Sequence, residues 1–175
     1  LGLCTNPEGT AGDPAAISDC FSGTNSTGRS AVLRSPEMDL SSLTNPVLDF
    51  YVAHRTFTGG EQDSLEILLS TDGGLSFFSA TTVYKKSDGT LPSLATLVPS
   101  GTGYVPAAQG QWRHESIDLS NVAGLNNVVI GFRSVSDWGN NIWIDNVVVS
   151  DVNSLCVDNV TGIGSYNCNP LVTVN

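Results

Sequence analysis

Few residues in this chain are of a type that does chemistry. Its 175 residues include 17 acids, 7 bases, 2 histidines and 4 cysteines. One acid is out of place. In the stretch SDWGNNIWIDNVVVS, Ser136 to Ser150, Asp145 lies between Ile144 and the apolar run Val147, Val148 and Val149. A lone carboxylate buried in such a strand is costly unless it is paired or bound to a metal. Strand alternation puts Asp145 on the face of Trp143 and Val147, which leaves three options open. The side chain faces solvent, pairs with Arg133 on a neighbouring strand, or helps to hold a hard cation. A net charge of −10 serves solubility on one reading. On the other, some of the carboxylates collect calcium.

Catalytic constellations are missing. The sequence has no GxSxG elbow, HExxH helix, P-loop or dinucleotide fingerprint. His114 has Glu115 beside it, but neighbours in a strand point to opposite faces and cannot work as a dyad. His54 and His114 both read as sheet-surface residues. Glu61, Asp63 and Glu66 could supply paired carboxylates for glycoside hydrolysis, yet Asp63 and Glu66 also face opposite ways. The expectation is a non-enzyme. So acidic a chain repels phosphate backbones and anionic lipid surfaces, which argues against nucleic acid and against membrane binding.

The cysteines fall at the two ends: Cys4 with Cys20, and Cys156 with Cys168. These spacings fit no CxxC metal site. Four cysteines allow three pairings. The two local loops are favoured, because each would pin a terminal segment that has little core of its own. Such bridges imply an oxidising, extracytoplasmic setting. No apolar run is long enough to span a membrane, and Leu1 reads as a mature or excised N-terminus, the start of one module. NST at Asn25 and NVT at Asn159 fit the glycosylation sequon.

Short apolar stretches alternating with turn residues must position these groups. AVLRS, PVLDFYVAH, SLEILLS, LSFFSATTVY, WRHESIDL, NVVIGFRSV and IWIDNVVVS read as strands. TDGG, Thr71 to Gly74, reads as a hairpin turn. A proline-bearing polar connection runs from Lys85 to about Gly110, with Pro92, Pro99 and Pro106. The pattern predicts an all-β antiparallel sandwich, a jelly roll with little or no helix. SPEMDLSSLTNPVLDF is echoed by HESIDLSNVAGLNNVVIGF, which reads as two similar corners of one sandwich. The organisation expected is a disulfide-closed segment 1–29, a core 30–150 and a disulfide-closed tail 151–175.

LRSPEMDLSSLTNPVLDFYVAH, DSLEILLSTDGGLSF and QGQWRHESIDLSNVAGLNNVVIGFRSVSDWGNNIWIDNVVVS, in that order, resemble the MAM-like jelly-roll module of secreted Bacteroidetes-type surface proteins. That group includes cleaved-adhesin domains of gingipain-type proteases and modules appended to secreted metallopeptidases. The resemblance implies secretion, a structural calcium ion, and roles in adhesion, in glycan or protein binding, or in support of a neighbouring catalytic domain. It implies a cation site at Asp145 and Asp63, with further ligands from the N-terminal stretch, such as Asp13, Asp19 or Asn25. Residues 1–28 and the tail fall outside the pattern.

Glycan-binding sandwiches use exposed aromatics and amides at their edges. Trp138 with Asn140 and Asn141, and Tyr84 and Tyr104 flanking the long connection, are the candidates. Trp112 and Trp143 read as core, and the two asparagines also suit a turn. The expected partner is a cell-surface glycan or protein. Otherwise it is copies of the chain itself, joined by strand addition at a sheet edge in a filament or large adhesin. A third reading is a passive spacer beside a secreted hydrolase.

Overall fold

Leu65, Ile67 and Leu69 alternate along one strand, and Val128, Ile130 and Phe132 along another. In a computed structural model, which describes residues 1–22, 26–77, 82–91 and 93–152, the two strands lie side by side. Ile67 is opposite Phe132, and Leu69 opposite Ile130. All six side chains point inward and are at most 4% exposed. Period-two patterning has done what it must: one face of each strand leaves water.

The strands are β1 Gly2–Thr5, β2 Ala11–Ser18, β3 Ser30–Arg34, β4 Pro46–Phe57, β5 Ser64–Ser70, β6 Thr82–Ser87, β7 Leu97–Ser100, β8 Arg113–Asp118, β9 Val129–Val135 and β10 Ile142–Asp151. One sheet has the order β3-β9-β5-β6. The larger has the order β1-β2-β10-β4-β7, with β8 also paired to β4. The result is the all-β sandwich that the sequence predicts. It is antiparallel except where β7 runs parallel to β4. Among the described residues, no helix is long and apolar enough to cross a membrane.

Leu48, Phe50 and Val52 of β4 are fully buried between the sheets. The ring of Phe50 meets Phe132 edge-on at 5.4 Å and Tyr84 at 5.8 Å. Each side chain of this size contributes about 1.5–3 kcal/mol by leaving water.

The repeated Asp-Leu-Ser motif has a direct physical cause. Asp39 accepts the N–H of Ser41 at 2.9 Å, and Asp118 accepts that of Ser120 at 2.8 Å, so each aspartate closes a turn. The leucines between them, Leu40 and Leu119, are completely buried. The Leu40 amide donates to Leu125 O at 2.7 Å, and the Gly124 amide returns a bond to Leu40 O at 3.1 Å. The two corners therefore abut.

Three expectations need correction. Leu68 of β5 is opposite Thr82 of β6, so TDGG is not a two-residue hairpin turn. The turn is closed by side chains instead: Ser70 Oγ accepts the Gly74 amide at 2.9 Å, and Asp72 accepts that of Ser76 at 3.1 Å. Second, residues 2–18 are not merely a segment laid on the sandwich but supply two strands of the larger sheet, β1 and β2. They cover a second apolar cluster on its outer face, made of Cys4, Ala15, Ala53, Tyr104, Trp112 and Trp143. Gly2 lies against the Trp143 ring, where a Cβ would come within 2.6 Å of the ring carbons. Third, Cys4 and Cys20 are separate buried thiols. Cys4 is opposite Asp13 in the β1–β2 ladder. Cys20 lies seven residues further on, roughly 20 Å at strand rise, and belongs to the inter-sheet core. That is beyond the reach of a disulfide. Cys156, Cys168, Asn25, Asn159 and Pro92 lie outside the described residues.

Candidate functional site

Asp63 immediately precedes β5 and is completely buried. Its Oδ1 accepts the amides of Asp137 at 2.8 Å and Gly139 at 3.3 Å, and its Oδ2 accepts that of Asn140 at 2.6 Å. The loop between β9 and β10 is thus wrapped around a carboxylate. The approach is close enough to demand glycine, because a Cβ on Gly139 would sit 2.3 Å from Asp63 Oδ2. Burial pushes the Asp63 carboxyl above its ordinary pKa, and the three amides pull it back in part.

His54, near the end of β4, is not on the sheet surface as its sequence position suggests but completely buried, because its ring bridges the connections that carry Asp88 and Asn141. Its Nδ1 lies 3.1 Å from Asn141 O and its Nε2 lies 2.8 Å from Asp88 Oδ2. Both ring nitrogens therefore lie against oxygen atoms, and the ring is fixed between two connections. Asp88 also accepts the Thr56 hydroxyl at 2.8 Å, and its amide donates to Asp63 O at 3.0 Å. Asn140 accepts the Tyr104 amide at 2.8 Å and donates to Thr102 O at 3.1 Å. Segments from four connections are fastened together by buried polar groups.

This lattice leaves one large side chain outside. Trp138 is 43% exposed and takes φ 63°. A left-handed conformation costs a bulky residue about 1–2 kcal/mol, and it persists only where neighbours enforce it. The enforcers are the Asp63 bonds on either side and Ser136 Oγ, which accepts the Trp138 amide at 3.1 Å.

The other predicted ligand contacts are scaffold. Tyr104 is 4%, Asn140 0% and Asn141 9% exposed. Tyr84 is half-buried against Phe50. The amides and ring are buried because the loop backbone needs partners and the sheet needs cover, and that removes them from the binding surface. Trp112 and Trp143 are buried, as their strand positions predict. His114 and Glu115 face apart: His114 pairs with Asp49 at 2.9 Å, and Glu115 with Lys86 at 2.6 Å.

Asp145 belongs to a different place. A bulge between Asp145 and Val148 breaks the β10 register, and Asn146 there has φ 50°. Asp145 Oδ1 accepts the Asn146 amide at 2.8 Å, while its buried Oδ2 has no partner. Burial, and then the charges of Asp13 and Glu8, push its carboxyl above the ordinary value, against the Asn146 bond. Asn146 donates its side-chain amide to Glu8, and Asn6 donates to Asp13 at 2.7 Å. Arg133 is not a partner of Asp145, for it binds Glu66 at 2.8 Å.

Among the described residues Asp63 falls into a group of ligand atoms with His54 and Asp88, and Asp145 is not part of it. Asp19 is exposed and closes a local turn, accepting the amides of Phe21 at 3.1 Å and Ser22 at 2.8 Å. Asp13, by contrast, does act on Asp145. Sequence reasoning missed Glu8, which lies in an unpatterned stretch, and Asp88, which resembles an ordinary Asp-Gly turn residue.

Among the described residues, one group of three brings ligand atoms within 4.8 Å of one another: His54, Asp63 and Asp88, each of which already holds N–H or O–H partners. Asp145 is not in that group; Asp13 and Glu8 act on it as like charges, and one of its oxygens is buried without a partner.

No protein-family model and no curated protein matches the chain. Among solved structures it is similar to the K1 cleaved adhesin domain of Lys-gingipain from Porphyromonas gingivalis W83. That likeness is 18% identical with a TM-score of 0.53, over 78% of this chain and 73% of that one. The K3 cleaved adhesin domain of the same protein is 21% identical with a TM-score of 0.52, over 77% of this chain and 70% of that one. At this identity the likeness is one of fold.

Proposed function

We propose that this chain is a non-catalytic extracellular adhesion module that binds a glycan through the surface around Trp138. The observation that carries the reading is the indole itself, exposed on a backbone whose costly angle the buried Asp63 enforces. Flat rings stack on sugar faces, and an ordered loop backbone lowers the entropy lost on binding. The shared fold with two cleaved adhesin domains supports adhesion as the class of activity. A glycan array identifies the sugar, and titration of Trp138→Ala tests the site. Affinity should fall at least tenfold, about 1.4 kcal/mol, with the unfolding temperature of the parent retained. Undiminished binding by that variant would remove the proposal.

We also propose calcium at Asp145, Asp13 and Glu8 as a structural ion. It would relieve their mutual repulsion and clamp the β1–β2 hairpin to β10. At a concentration one hundred times its Kd it should add about 2.7 kcal/mol to stability. Asp145→Asn should abolish that gain and leave the calcium-free protein as stable or slightly more so. For the calcium-free protein the sign of the pH dependence follows from the raised Asp145 pKa. The folded state holds that proton more tightly than the unfolded chain does, so stability declines as pH rises from the usual carboxylate range through the raised value. Calcium should flatten this slope. An unchanged melting curve with calcium at every pH would end the idea.

A further inference from the structure

The smaller sheet ends on β3, and among the described residues nothing covers that edge. All five residues from Ser30 to Arg34 are exposed, with Val32 at 41% and Leu33 at 51%. The Ser136 amide donates to Arg29 O at 2.8 Å and the Ser35 amide to Ile130 O at 2.9 Å. Antiparallel alternation therefore turns the backbone of Arg29, Ala31, Leu33 and Ser35 toward β9. The N–H and C=O groups of Ser30, Val32 and Arg34 point outward. Beside this edge a groove of ≈ 170 Å³ opens between β2 and β3, lined by Ala31, Leu33, Leu65, Phe132 and Ile144. It reaches the core itself, since Leu65 is only 1% exposed.

The opposite edge of the same sheet is guarded. β6 carries Lys85 and Lys86, and charge on an edge discourages further pairing. β3 has no such guard. Its Arg34 folds back, donating to Gly74 O and stacking 4.6 Å from the centre of the Phe77 ring.

We propose that β3 pairs antiparallel with β3 of a second copy of this chain, about a twofold axis through Val32. In that register Ser30 faces Arg34 of the second copy, and Ala31 faces its Leu33. Large meets small, and no like charges are opposed. Ala31 forms part of the groove wall, so each copy's Leu33 covers the other's groove. Charge favours this edge too. The chain carries a net −10, yet between Thr27 and Ser35 it has two arginines and no acid, so two copies meet where they repel least. The contact is isologous and closes as a dimer.

Sedimentation velocity and light scattering over a range of concentrations test the pairing. The chain should show a reversible monomer–dimer equilibrium. Val32→Lys sets like charges against each other on the axis, and should weaken dimerisation at least tenfold. Val32→Pro should do the same, because it deletes only an outward donor and spares the ladder with β9. Circular dichroism should show both variants folded. If the proline variant is not, the lysine variant at this exposed position decides. A chain that stays monomeric throughout, or a dimer unaffected by Val32→Lys, overturns the proposal. Glycan titration of Val32→Lys should match the parent, so the pairing and the Trp138 site stand or fall separately.

Discussion

Asp63→Ala should unfold about 3–5 kcal/mol more easily than the parent, since three buried backbone amides lose their acceptor at about 1–3 kcal/mol each, partly offset as the loop relaxes. In a domain of this size that corresponds to a fall of roughly 10 °C in unfolding temperature. The cause is specific. Without the carboxylate, the amides of Asp137, Gly139 and Asn140 lose their common acceptor inside a site that water does not reach. Asn140 in turn orients Tyr104 and Thr102, so the disturbance should spread to the neighbouring connection. Trp138 would lose the bonds that enforce its backbone angle, and if the proposed glycan site is there, its affinity should fall together with stability. Asp63→Asn keeps the shape but presents an amide nitrogen to one of the donors, and should lose less. Thermal unfolding of Asp63→Ala close to that of the parent would show that Asp63 does not organise this loop.

The second large effect is expected at His54. His54→Leu fills similar space but leaves Asp88 as a buried carboxylate facing an apolar side chain, with Thr56 as its remaining side-chain donor. The expected cost is again about 3–5 kcal/mol. Much of it should belong to the stranded charge rather than to the lost bond. Asp88→Asn in the His54→Leu background should therefore recover part of the loss. The double-mutant cycle should give a coupling of about 0.5–3 kcal/mol between the two positions. Denaturant unfolding of the four proteins supplies the numbers. Additive losses would mean that His54 and Asp88 act independently, and the account of the pair would fail.

Much of the sandwich was legible because its signal is local. Leu48, Phe50 and Val52, or Leu65, Ile67 and Leu69, state their facing by alternation, and burial follows from that facing. The Asp-Leu-Ser corners were legible as well, since an aspartate binding the amide two residues on needs nothing from afar. β1 and β2 were not legible. AGDPAAIS alternates poorly and contains a proline, and it becomes a strand only because β10 offers it an edge at Ile142, Trp143 and Ile144.

The candidate site divides in the same way. Residue type and position singled out Trp138 and Asp145, and the family resemblance added Asp63 and Asp13. Their company was decided by distant chain. The amides that hold Asp63 lie 74 to 77 residues away, and Glu8 reaches Asn146 from 138 residues away. Composition and periodicity determined by themselves that this chain forms an acidic β-sandwich with apolar inner faces. Only the tertiary structure decided which carboxylate is caged by backbone amides, which is crowded by other acids, and which tryptophan remains outside. The physical reason is that facing along a strand repeats every two residues, whereas the environment of a buried charge is set by whatever the fold brings within a few ångströms of it.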